Sequence, residues 1–152
     1  MSSPLLWIML CAAAGLALAS VRRIPEGQVY SLRRIGGHTR IVGAGMRFIL
    51  PLIERVSHKI SLTGTALAIE GASHEGEQLK GAVFFQVLEP ERADDVIDSV
   101  DDLLRTSTAS LLGNPALPVE SGARRLWLKQ QLNAEVRARG LLVTRIELRA
   151  AA

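Results

Sequence analysis

The sequence predicts an α+β fold: an N-terminal apolar helix, a mostly antiparallel sheet with helices packed on it, and a closing strand. Three observations predict it. Positions 5–21 carry no charge. Val56, His58, Ile60 and Leu62 alternate with Ser57, Lys59, Ser61 and Thr63 at the period of two that marks a half-buried strand. After Pro90 the apolar spacing changes to that of helices, and it returns to period two only at the end of the chain. Strands first, helices next and one strand returning point to helices on one face of an antiparallel sheet.

Leu5, Leu6, Trp7, Ile8, Leu10, Leu16 and Leu18 dominate the first run. Its length from Leu5 to Val21 sits at the short end of the roughly 17–25 residues that span a bilayer, with Trp7 near one end and Arg22-Arg23 at the other as interfacial anchors. The expectation is a single-pass transmembrane anchor over residues 1–21. Arginines at 22, 23, 33, 34 and 40 follow the run and none precedes it, which places the folded domain on the cytoplasmic side. A cleaved signal peptide is the competing reading, because Ala17-Leu18-Ala19 is an A-x-A site, although the basic stretch that usually precedes one is missing.

The rest reads as one domain, residues 22–149, with a short tail at 150–152. Gln28 to Arg34 and His38 to Val42 form two strands about a Gly36-Gly37 turn. Val56, His58, Ile60 and Leu62 alternate with polar residues, and Leu67 with Ile69 supports another strand. Leu79 to Leu88 is apolar on both faces, as a central strand would be. Pro90 suits a first helical position, Ser99 with Asp102 resembles a capping box, and Gly113-Asn114-Pro115 stops that helix. Ser121 to Arg139 is expected as a helix ended by Gly140, with Leu128, Leu132 and Val136 inward and Arg124, Lys129, Asn133 and Arg137 outward. Leu142, Thr144, Ile146 and Leu148 alternate as the last strand.

Composition narrows the function classes. Eighteen basic and fifteen acidic residues are mixed along the chain, and the net charge of +3 is too weak and dispersed for nucleic acid as a main partner. Cys11 is the single cysteine, so neither a disulfide framework nor a thiolate metal site can form within one chain. His38, His58 and His74 lack metal-ligand spacing, and no cofactor is expected. No G-x-S-x-G is present, and the glycines at 36, 37, 43 and 45 lack a phosphate-loop lysine. The expectation is therefore not an enzyme.

Four groups of residues stand out as candidate contacts. Met46, Phe48, Ile49, Leu50, Leu52 and Ile53 form an apolar stretch too short to span, which either packs as core or enters a bilayer shallowly. Arg22, Arg23, Arg33 and Arg34 could meet anionic headgroups, each worth about 1 kcal/mol near such a surface. Arg124, Arg125, Lys129 and Arg137 offer a basic helix face, and Asp94, Asp95, Asp101 and Asp102 an acidic counterpart for a second protomer.

The order of several segments resembles the stomatin, prohibitin, flotillin and HflK/HflC superfamily, whose shared unit is the SPFH domain. The resemblance is carried by Arg23-Ile24-Pro25-Glu26-Gly27-Gln28, Arg33-Arg34-Ile35-Gly36-Gly37 and the run from Gly43 to Val56. It continues in Phe84-Phe85-Gln86-Val87-Leu88-Glu89-Pro90-Glu91-Arg92-Ala93 and in Leu128 to Arg149. Two departures stand beside it. His74-Glu75-Gly76-Glu77 occupies a turn where the family commonly has T-x-D-G, and no long helical extension follows Arg149, so a short member is expected. The resemblance implies membrane attachment, with the 46–53 stretch held against the bilayer. It also implies homo- or hetero-oligomers with SPFH-type proteins, and a scaffold role in organising membrane proteins or microdomains. Regulation of a membrane protease is the alternative, and a secreted binding domain released after Ala19 is a third reading.

Overall fold

The computed structural model describes residues 4–50 and 52–150. The chain divides into two compact units, residues 1–59 and 60–152. The boundary falls inside a strand.

The first unit opens with helix α1, Pro4–Ser20. Strands β1 (Val21–Ile24), β2 (Gln28–Arg34), β3 (Thr39–Val42) and β4 (Gly45–Phe48) follow, and β5 (Glu54–Ser61) straddles the boundary. β1 pairs antiparallel with β4, setting Val21 opposite Phe48, Arg22 opposite Arg47 and Arg23 opposite Met46. β2 is the middle strand of a separate sheet in the order β3-β2-β5. The β2–β3 hairpin turns at Gly36 and Gly37, both at positive φ, as the sequence predicts. A small core of Ile24, Leu32, Val42 and Ile49 forms under these strands, with Tyr30 packed against it.

Two expectations are corrected here. Among the described residues no helix is long and apolar enough to cross a membrane. α1 has 17 residues, a rise of about 26 Å against a hydrocarbon core of about 30 Å. Its last residue already belongs to the fold. Ser20 is 1% exposed, its hydroxyl donates to the Leu16 carbonyl at 2.7 Å, and its own carbonyl accepts the Ile49 N–H at 2.8 Å. Val21, counted above as the end of the span, is the first residue of β1. The transmembrane anchor and the single-pass placement with a cytoplasmic domain both fall with that finding. The second correction is β1 and β4 themselves, which no periodicity announced.

The second unit is a three-stranded antiparallel sheet in the order β6-β7-β8, made of Thr65–Ala72, Gln78–Val87 and Leu141–Ala150. β7 is central, as its apolar residues on both faces suggest. Between β7 and β8 come α2 (Pro90–Ala93), a 3-10 turn at Ile97–Ser99, α3 (Val100–Leu112), α4 (Ser121–Val136) and a second 3-10 turn at Arg137–Arg139. α3 lies against β6 and α4 against β8. Their inward faces bury Leu104, Leu112, Leu128, Leu132 and Val136 against Leu67, Val83, Val143 and Ile146, each large side chain contributing roughly 1.5–3 kcal/mol. Leu128, Leu132 and Val136 thus face inward as expected.

Ser99 stands at the N-cap of α3 without a side-chain cap. Its hydroxyl instead donates back to the Val96 carbonyl at 3.2 Å, so the expected capping box does not form. Gly81 lets β8 come close, because a Cβ there would collide with the Glu147 carbonyl. Of the expected tail, Ala150 ends β8, while positions 151 and 152 lie outside the described residues, as do 1–3 and 51.

Candidate functional site

In the first unit the sequence leaves an unusual amount of apolar surface uncovered. α1 is apolar all round, with Leu5, Leu6, Trp7, Ile8, Leu10, Leu16 and Leu18 exposed. Cys11 on the same helix is also exposed. The β1–β4 ribbon continues this surface along the chain. Val21, Met46 and Phe48 are exposed, and Phe48 keeps 59% of its area in solvent. Leu50, Leu52 and Ile53 follow; Leu52 is 71% exposed. Ile49 is the exception among the six residues expected as a contact loop. It joins the core at 6% exposure because its backbone continues the pairing to Ser20. A surface helix normally shows one apolar stripe, and contiguous exposed apolar patches mark contact sites.

Basic side chains border this surface. Arg22, Arg23, Arg33, Arg34 and Arg55 are exposed. Arg33 and Arg34 line a cleft of about 460 Å³ with Leu52 and Ile53, which the Ile35 N–H fastens by a 3.0 Å bond to the Ile53 carbonyl. Arg22 and Arg23 line a second cleft together with Arg55 and Lys59. The structure therefore brings each predicted arginine pair beside apolar contact residues within one unit.

In the second unit the predicted protomer contacts separate. Arg125 is exposed, and Lys129 and Arg137 line a shallow groove of about 470 Å³ along α4 with Leu126, Gln130 and Asn133. Asp95, Asp101 and Asp102 are exposed and Asp94 is half-buried. Asp101 and Asp102 sit in the first turn of α3, where negative charge suits the helix dipole.

Arg124 does not belong with them. It is 8% exposed; its Nε donates to the Pro118 carbonyl at 3.0 Å and its Nη2 to the Val119 carbonyl at 3.0 Å. Its Nη1 meets the Glu77 carboxylate at 3.1 Å. This is an internal brace between α4, the loop before it and the turn that joins β6 to β7.

Asn133, expected outward, is a second brace. Its Oδ1 accepts the Val143 N–H at 2.8 Å and its Nδ2 donates to the Val143 carbonyl at 3.0 Å. That satisfies a backbone pair on β8, an edge strand. Asn133→Ala leaves both groups unpaired and is expected to lower stability by about 2 kcal/mol, read from the urea midpoint.

Among the described residues, no group of three His, Cys, Asp or Glu side chains gathers closely enough to hold a metal ion.

No family model matches the chain. An uncharacterized protein of Mycobacterium tuberculosis is 26% identical over 147 residues, 86% of this chain and 37% of that protein. A Mycobacterium bovis protein, also uncharacterized, matches to the same extent. An uncharacterized protein of Schizosaccharomyces pombe is 26% identical over 106 residues, 64% of this chain and 30% of its own length. The chain spans about a third of the length of the curated relatives it matches.

Proposed function

We propose that this chain is an SPFH-type scaffold module. It rests on a bilayer surface without crossing it, assembles laterally with copies of itself or related chains, and so organises neighbouring membrane proteins. The observation that carries the reading is the exposed apolar surface of Val21, Met46, Phe48 and Leu52 bordered by exposed arginines. Burying side chains of this size in lipid gives roughly 1.5–3 kcal/mol each, and the arginines add about 1 kcal/mol apiece on an anionic leaflet.

Flotation of the full chain with phosphatidylcholine–phosphatidylserine vesicles tests the contact. The protein is expected to float, and Phe48→Asp/Leu52→Asp is expected to reduce the bound fraction by about tenfold or more. Both residues are exposed, so the variant should melt as the parent does. Equal flotation of parent and variant would remove this contact surface from the account.

Lateral assembly draws on charge. The basic groove of α4 and the acidic start of α3 offer complementary faces that would set register more than affinity. Self-association is therefore expected to weaken between low salt and about 1 M salt, where screening shortens to about 3 Å, as read by sedimentation velocity.

A further inference from the structure

The cleft beside the β1–β4 ribbon has a chemistry that contact with a flat surface does not require. Its volume is about 400 Å³, within the roughly 300–1,000 Å³ range of small-molecule sites. Four cationic side chains line it, Arg22, Arg23, Arg55 and Lys59, against one carboxylate, Glu54. Among the described residues none of the three arginines holds an ion pair, and neither does Lys59. Folding therefore leaves this positive charge uncompensated in a concave setting, where low-dielectric walls focus its field. Lys59 is steadied by Tyr30, whose ring centroid lies 5.6 Å from the ammonium.

We propose that this cleft binds a ligand carrying two phosphate groups, held by Arg22, Arg23, Arg55 and Lys59. Guanidinium forks match phosphate oxygens two at a time, and an ammonium adds a point charge. The excess of cations over Glu54 is more than a single phosphate dianion would neutralise, which is why two groups are expected. Such a ligand comes either from a lipid headgroup or from a soluble diphosphate. The inference does not depend on the scaffold reading, since the first probe involves no membrane.

Isothermal titration of the full chain with inorganic pyrophosphate at low salt tests it. Saturable one-site binding is expected. Arg23→Gln/Arg55→Gln should weaken it by about tenfold. Arg40→Gln/Arg105→Gln removes the same charge from outside the cleft and should bind within about twofold of the parent. Should the first pair prove less stable in a thermal melt, Arg22→Gln/Lys59→Gln repeats the test from the other lining residues.

A second arm compares phosphatidylcholine vesicles containing a phosphatidylinositol bisphosphate with phosphatidylserine vesicles of equal charge. Preference for the bisphosphate vesicles, competed by pyrophosphate, assigns the site to a headgroup. Pyrophosphate binding without that preference assigns it to a soluble ligand. No pyrophosphate binding, or equal loss in the cleft and control variants, overturns the proposal. Failure of the Phe48→Asp/Leu52→Asp flotation test leaves it standing.

Discussion

Gly140→Ala is expected to destabilise the second unit by about 3 kcal/mol or more. Gly140 closes the α4 region with φ at 75° and ψ at 17°, the left-handed conformation that costs an L-residue about 1–2 kcal/mol. Its surroundings add to that cost. A Cβ would collide with the Glu89 carbonyl and sit 3.0 Å from the Glu89 Cβ and 3.2 Å from the Arg92 Cβ. The obstacle is backbone already engaged, because the Gly140 carbonyl accepts N–H groups from Leu88 at 2.8 Å and Glu89 at 3.1 Å. Movement of either segment therefore breaks the junction between the end of β7, the start of α2 and the start of β8. Gly76 supplies the control. It has a comparable φ of 84° but open space where a Cβ would go, so Gly76→Ala should cost only about 1 kcal/mol. Urea midpoints of the two variants check the contrast, and similar midpoints would refute the collision argument.

Arg124→Leu is expected to cost about 3 kcal/mol, although it removes a charge from a helix that looks polar in sequence. The side chain would leave two loop carbonyls and the Glu77 carboxylate without their donors, each charge-assisted bond being worth about 1.5–3 kcal/mol before solvent compensates. Glu77 is 42% exposed in its side chain, so water recovers part of its loss and the total stays well below the simple sum. Arg124→Lys should not rescue the variant, since one ammonium cannot reach three acceptors arranged for a planar fork. The result also separates two roles. A brace lowers the urea midpoint and leaves self-association unchanged at temperatures where the protein is folded, whereas a protomer contact would do the reverse.

The contrast between Arg124 and Leu128 shows where sequence reasoning succeeds and where it stops. Leu128, Leu132 and Val136 repeat at helical spacing, and burial follows from that pattern because apolar side chains need no particular partner. Arg124 is buried only because Pro118, Val119 and Glu77 arrive around it, and Glu77 lies 47 residues away in sequence. Asn133 is similar, its amide matched to one residue of an edge strand that only the tertiary fold brings near. The hairpin of β2 and β3 was legible through turn chemistry at Gly36-Gly37, and β7 through its apolar residues on both faces. β1 and β4 were not, because in two four-residue strands whose side chains are all exposed except Ile24 a single buried position imposes no alternation. The Arg22-Arg23 pair that reads as the flank of a membrane span is instead part of β1, and the apolar helix ends at Ser20, inside the fold. The division of the contact stretch, with Ile49 in the core and its neighbours exposed, likewise depends on the pairing of β1 with β4.

Chemical crosslinking of the full chain on phosphatidylcholine–phosphatidylserine vesicles, resolved by mass, tests the scaffold reading most directly. A ladder extending beyond the monomer is predicted on vesicles at low salt, shortened by Lys129→Glu/Arg137→Glu and restored when Asp101→Lys/Asp102→Lys protein is mixed with that variant. Monomer alone on the vesicles, at every protein concentration and at low salt, would contradict it.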